Sequence, residues 1–218
     1  MTREPTHQPK TGTRAVVFTD LDGTLLDHET YAWAAAVPAL DALKARGVPL
    51  VLASSKTAAE IAPLHAALGL GDAPAIVENG AGIWRPGAEA AEDGAYRRLR
   101  TALEALPKEL RVHFRGFGDM SAFEVAEITG LSREAAALAR ARMASEPGTW
   151  SGDAATLELF LTALEAQGIA ARRGGRFLTL SLGATKADRM DEIAAALGAT
   201  TTLALGDAPN DIEMLEAA

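Results

Sequence analysis

Asp20-Leu21-Asp22-Gly23-Thr24 sets two carboxylates two residues apart, immediately after an apolar run at 14–18. On extended backbone, residues at that spacing point the same way, so at a strand end both carboxylates can face one cavity. Like charges that close push one pKa upward unless a cation relieves them. Hard carboxylate oxygens of this kind suit Mg²⁺. Gly23 provides a tight turn through which backbone can approach a ligand. Read alone, the segment has an ordinary acidic turn as its lesser alternative, and a second segment answers it. In Leu205-Gly206-Asp207-Ala208-Pro209-Asn210-Asp211, again after an apolar run, Asp207 falls at the strand end. Asn210 and Asp211 fall in the first turn of a helix opened by Pro209. Asp207 and Asp211, four apart, can be drawn toward one ion by a helical turn; as isolated residues they would be an ordinary N-terminal cap.

Two further positions invite an anion. Ser54, in Ala53-Ser54-Ser55-Lys56-Thr57, offers a hydroxyl next to backbone N–H groups at a helix start, a natural phosphate site. Thr57 caps that helix. Lys186 opens another helix, where a cation opposes the macrodipole and calls for a negative partner.

The elements that must position these residues follow from patterning. Residues 14–18, 48–53 and 201–205 are short continuous apolar runs, read as buried parallel strands, and 75–77 is a fourth strand. Capping boxes at Thr57/Glu60, Ser121/Glu124 and Thr185/Asp188 start helices that Gly69, Gly130 and Gly198 stop, and Asp153 caps another. Strand, polar loop, helix, strand is the rhythm of an α/β sheet, whose ligands sit at the carboxyl ends of its strands. From about 86 to 176 the alternation is lost. The expected organisation is a core of 12–84 and 178–218, an inserted α+β module at 85–177, and a disordered tail at 1–11.

Composition narrows the function. With 29 acidic and 21 basic residues the net charge is −8, against a nucleic-acid binder, which needs a basic face. The absence of cysteine excludes disulfides, thiolate metal sites and cysteine nucleophiles. No apolar run approaches the length of a membrane span, and the polar start lacks a signal peptide's apolar stretch, so a cytoplasmic protein is expected. His28, His65 and His113 have no zinc-ligand spacing, and Trp33, Trp84 and Trp150 read as packing residues.

Taken in order, Asp20-x-Asp22-Gly-Thr, Ser54, Lys186 and Gly206-Asp207…Asn210-Asp211 resemble the haloacid-dehalogenase-like phosphohydrolase superfamily, and the insert is similar to its type C2 caps. Ser54-Ser55-Lys56-Thr57 stands where Thr-Gly-Arg is commoner. With Glu78-Asn79-Gly80, Gly116-Phe117-Gly118-Asp119-Met120-Ser121, the stretch 124–131 and Ser145-Glu146-Pro147, it resembles the mannosyl-3-phosphoglycerate phosphatase family. The likeness runs from about Val16 to Leu215. It implies a doubly wound, Rossmann-like parallel-sheet core with an α+β cap, and hydrolysis of a phosphate monoester. It makes Asp20 the nucleophile and Asp22 the general acid and base. Mg²⁺ would be held by Asp20, the backbone carbonyl of Asp22, and Asp207. Ser54 and Lys186 would bind phosphate, and Asn210 and Asp211 would orient the metal site. Beside the resemblance, Asn79 is a candidate substrate contact, and Arg142 and Arg176 either are solvated residues of the insert or grip a substrate carboxylate, with which arginine pairs bidentately. The implied substrate is mannosyl-3-phosphoglycerate, giving mannosylglycerate; a glucosyl-3-phosphoglycerate or another sugar phosphate is the alternative. A phosphotransferase or mutase, or a non-catalytic phosphate-ligand-binding protein, could use the same scaffold. Members of the family continue with another strand and helix beyond the point matching Ala218. An extended chain is therefore expected to be more stable, with strand 201–205 beside an uncovered edge in this one.

Overall fold

The computed structural model describes residues 14–88, 94–174 and 176–218; the tail assigned to 1–11 lies outside them. The first sheet has the order β4-β3-β2-β1-β9. Its strands are β1 (Ala15–Thr19), β2 (Leu50–Ala53), β3 (Ala75–Val77), β4 (Gly82–Trp84) and β9 (Thr201–Leu205). All pairings are parallel except the β3–β4 hairpin. Alternation along the strands separates two cores. Val16, Phe18, Val51, Ala53 and Ile76 pack with Met190, Ile193 and Met214, which lie on α8 (Lys186–Leu197) and α9 (Ile212–Glu216). Leu52, Ala75 and Val77 pack with Leu21, Leu26 and Ile61, the last on α2 (Ala58–Leu68). With α1 (Val37–Ala45) between β1 and β2, this is the doubly wound α/β core expected from the strand–helix rhythm.

Register decides where the chemistry falls. β1 and β9 run level, from Ala15 opposite Thr201 to Thr19 opposite Leu205, so Asp20 and Gly206-Asp207 leave the sheet side by side. The Asp20 amide donates to the Leu205 carbonyl at 2.9 Å, and the Ser54 amide donates to the Ile76 carbonyl at 2.9 Å.

One expectation about burial needs correction. β9 was read as buried from its apolar run, yet it is an edge strand, with Leu203 52% and Leu205 43% exposed. Ala204 faces the core formed with α8 and α9, while Leu203 and Leu205 lie on the opposite face of the strand.

The insert folds around a second sheet of order β5-β6-β8-β7, antiparallel throughout. Its strands are β5 (Phe114–Gly116), β6 (Ser145–Trp150), β7 (Ala170–Gly174) and β8 (Phe177–Ser181). Residues 178–181, counted with the core on sequence grounds, therefore pair within the cap sheet. The helices α3 (Ala95–Glu104), α4 (Lys108–Arg111) and α7 (Ala154–Glu165) cover one face through Leu99, Leu103, Phe114, Phe160, Leu164, Leu178 and Leu180. The pair α5 (Ala122–Thr129) and α6 (Arg133–Arg140) encloses Phe117, Met120, Val125, Ala136 and Ala139. The capping boxes of α2, α5 and α8 and their left-handed glycine stops at Gly69, Gly130 and Gly198 form as the sequence indicates.

Candidate active site

Asp20 is 7% exposed at the end of β1, and one buried ammonium governs its surroundings. Lys186 Nζ donates to Asp20 Oδ1 and to Asp211 Oδ1, both at 2.7 Å. Lys186 is 2% exposed and Asp211 fully enclosed, so these bonds lie out of water, where charge interactions are strong. Burial raises the Asp20 pKa; Lys186 pulls it down, while Asp211 and Asp22 add to the rise. Lys186 reaches this point because Gly80 lets the start of α8 come close. A Cβ at Gly80 would lie 2.1 Å from the Thr185 carbonyl carbon and 2.5 Å from the Lys186 amide nitrogen.

The remaining Asp211 oxygen accepts the amides of Asp207 and Ala208 at 3.2 and 3.1 Å. Asp211 thus holds its own loop in shape. Asp207 is exposed, with Oδ1 accepting from the Thr24 hydroxyl at 2.8 Å. Its other oxygen would lie 2.5 Å from a Cβ at Gly23, which has φ +87°, so both the turn and the carboxylate's position need glycine there.

Oxygens of Asp20, Asp207 and Asp211 all lie within 4.8 Å of one another. Among the described residues Lys186 pairs with Asp20 and Asp211, no ion pair is seen for Asp207, and the donor set is entirely hard oxygen. That combination fits a divalent cation.

Asp22 points to the open side. Its Oδ2 accepts from Lys56 Nζ at 2.5 Å, and its Oδ1 is enclosed with no hydrogen-bond partner among the described residues. Ser54 is 1% exposed, its hydroxyl accepting from the Lys56 amide at 3.2 Å. Asn79, at φ 58°, donates its amide to the Ser54 carbonyl at 2.9 Å and accepts from Asn210 Nδ2 at 3.2 Å. Asp20, Asp22, Ser54, Asn79, Lys186, Asp207, Asn210 and Asp211, which lie far apart in the chain, are thereby joined at one end of the sheet.

The cap sits over this end. Glu78, buried in the core, accepts from the amides of Met143 and Ala144 at 2.8 and 3.2 Å and from the Ser145 hydroxyl at 2.7 Å. The Thr57 hydroxyl donates to the Leu138 carbonyl at 2.9 Å, and Arg172 pairs with Glu213 at 3.1 Å. Arg142 donates from Nη1 to the Ser55 carbonyl at 2.9 Å and from Nε to the Ala139 carbonyl at 2.8 Å, so it lies on the seam between the two modules. Arg176 does not join the cluster. It follows β7, donates to the Thr129 carbonyl at 3.4 Å and lies over the Phe177 ring.

Sequence reasoning passed over three of these groups. Lys56 was visible only as the residue after Ser54-Ser55, Thr24 as the end of a turn, and Glu78 as part of a motif without a role.

A carboxylate pair at the end of β1, a lysine from a later helix, an acidic loop after β9 and a cap above them have the arrangement of a haloacid dehalogenase-like hydrolase. The family model of that description matches residues 17–105. A glucosyl-3-phosphoglycerate/mannosyl-3-phosphoglycerate phosphatase of Persephonella marina is 34% identical over 92% of this chain and 81% of its own. The chain belongs to the same family and is a phosphatase. Among solved structures, a phosphatase of this superfamily from Bacteroides thetaiotaomicron matches with TM-score 0.63 at 20% identity, over 99% of this chain and 85% of that one. The sucrose-phosphatase of Synechocystis, solved with sucrose and phosphate, matches with TM-score 0.61 at 14% identity, over 94% of this chain and 80% of its own. At these identities they share the fold. No helix among the described residues is long and apolar enough to cross a membrane.

Proposed function

We propose that this phosphatase hydrolyses a sugar phosphoglycerate, mannosyl-3-phosphoglycerate first and the glucosyl compound second. The observation that carries the substrate is the 34% identity to the Persephonella marina enzyme, whose name covers both sugars. The reaction proceeds in two displacements. Asp20 attacks phosphorus, the bond to the leaving oxygen breaks, and an aspartyl-phosphate forms. Asp22, whose side chain is 38% exposed, gives its proton to the departing alkoxide. Water then attacks phosphorus, Asp22 takes up a proton from it, and Asp20 is released with inorganic phosphate.

Asp20, the Asp22 carbonyl and Asp207 would hold Mg²⁺, which when bound neutralises charge between the attacking carboxylate and the phosphate. Ser54 and Lys186 hold phosphoryl oxygens, a task of positioning and charge neutralisation rather than covalent chemistry. Asp211 fixes the Asp207 loop through its two amide contacts, and Asn210 bridges to Asn79. Asn79 and Arg142 border the leaving-group side, and the cap restricts water around the reacting centre.

Phosphate release, measured with Mg²⁺ on a panel of sugar phosphoglycerates, sugar phosphates and aryl phosphates, tests the reading. The mannosyl or glucosyl phosphoglycerate should give the highest kcat/KM. A sugar phosphate lacking the glycerate as best substrate would overturn it.

A further inference from the structure

We propose that Lys56 reads the carboxylate of the leaving group, and so selects phosphoglycerates over phosphate esters without an acid group. The assignment rests on the substrate reading above and adds the residue that enforces it.

Lys56 lies in the loop between β2 and α2. Its Nζ donates to Asp22 Oδ2 at 2.5 Å and stands 5.7 Å from the centre of the Tyr31 ring; the side chain is 22% exposed. An ammonium carries three N–H donors. Asp22 takes one, and the described residues offer no other hydrogen-bond acceptor to the remaining two. Lys56 and the leaving oxygen would therefore share the half-exposed carboxylate of Asp22.

The leaving group of a 3-phosphoglycerate carries its carboxylate two carbons from the departing oxygen. An acid group at that distance falls beside Nζ when the departing oxygen is within hydrogen-bond reach of Asp22, about 2.6–3.2 Å. Without a cation there, the substrate carboxylate would meet Asp22 at close range and be repelled.

Among the described residues, other cations around the cleft already hold partners of their own. Lys186 bridges Asp20 and Asp211, Arg172 pairs with Glu213, and Arg142 spends Nε and Nη1 on backbone carbonyls. A lysine also suits the position chemically. Its compact charge and rotatable donors can hold Asp22 and a second carboxylate together, where the planar fork of arginine prefers one bidentate partner.

The test compares mannosyl-3-phosphoglycerate with its analogue in which the carboxylate is reduced to a hydroxymethyl group, using wild type, Lys56→Met and Lys56→Arg with Mg²⁺. Lys56→Met should raise KM for the phosphoglycerate by on the order of 10- to 100-fold, the loss of one charge-assisted contact, and leave KM for the analogue within about threefold. Lys56→Arg should restore part of the difference. Any fall in kcat from a disturbed Asp22 would be common to both substrates and cancels from the comparison. Equal effects on both KM values, or wild-type discrimination that survives in Lys56→Met, would overturn the role of Lys56 alone. A wild-type enzyme that treats the two esters alike would overturn the substrate reading and this assignment with it.

Discussion

The core and the cap each bury a cluster of carboxylates around cations, and the two clusters do different work. In the core, Lys186 holds Asp20 and Asp211 at the strand ends, with Asp207 and the unpartnered oxygen of Asp22 nearby. In the cap, Arg100 Nη2 donates to Asp119 Oδ1 at 2.5 Å and Arg111 Nη2 to Asp119 Oδ2 at 2.8 Å. Glu146, whose side chain is wholly enclosed, accepts the Gly118 amide at 2.7 Å, with Arg100 Nη1 at 3.7 Å. Glu146 lies opposite Leu180 on β8, on the face that α3 and α7 cover, so its cluster points away from the core. Burial raises the pKa of Glu146 against the pull of Tyr96, Gly118 and Arg100. Asp119 goes the other way: burial would raise it, but the bonds from Arg100 and Arg111 prevail and lower it. Perturbed carboxylates mark both places, yet only the core's stand at strand ends facing a cleft. Location within the fold, rather than perturbation, separates chemistry from architecture.

That contrast can be broken by experiment. The largest effect should come from Asp20→Asn, which removes the proposed nucleophile: turnover should vanish while the melting temperature changes little. Normal turnover, or phosphate trapped on another residue, would refute the assignment. Asp22→Asn should cost about 10²–10⁴ in kcat through loss of the acid and base, read by steady-state phosphate release.

Next comes the seam. Glu78→Gln exchanges a carboxylate that accepts from three cap donors for an amide. It should destabilise the protein by about 1.5–3 kcal/mol in denaturant unfolding, while a small aryl phosphate that needs no cap contact keeps its kcat.

Within the cap cluster, Gly116→Ala should destabilise by about 1–3 kcal/mol, since the added Cβ would lie 2.1 Å from Glu146 Oε1. The folded fraction should retain its kcat on aryl phosphate, unlike either aspartate variant. The smallest effect is a slope. With a folded pKa above the ordinary 4.5, Glu146 holds its proton longer folded than unfolded, so its contribution is complete below 4.5 and declines as pH rises through the folded value. Unfolding free energies measured upward from pH 4 should fall more steeply in wild type than in Glu146→Gln. Parallel curves would show that burial of this carboxylate costs nothing.

Legibility followed the range of the interactions. Caps such as Thr57/Glu60 and Thr185/Asp188 were readable because both partners lie within one turn. The strand-end placement of Asp20 and Asp207 was readable because apolar runs end abruptly beside them. The pairing of Lys56 with Asp22 spans 34 residues and that of Glu78 with Ser145 spans 67, and no local pattern encodes either. Arg142 and Arg176 looked alike as arginines of the insert, whereas the fold sends one to the seam and the other to Thr129. Residues 178–181 were counted with the core because the insert was taken to end at 177, and no local pattern tells which of the two sheets they join.

The level pairing of β1 with β9 has a consequence for biosynthesis. The bond from Thr24 to Asp207 closes a loop of 183 residues, within which the whole cap is contained. Closing so long a loop costs entropy before the β1–β9 contacts repay it, which favours its forming late. A nascent chain that has emerged as far as the cap already carries Asp20, Asp22, Ser54 and Lys56, yet lacks Lys186 and Asp207. On the mechanism proposed above such a chain would lack the bridging lysine and the loop carboxylate, so competence would await the docking of β9 on β1.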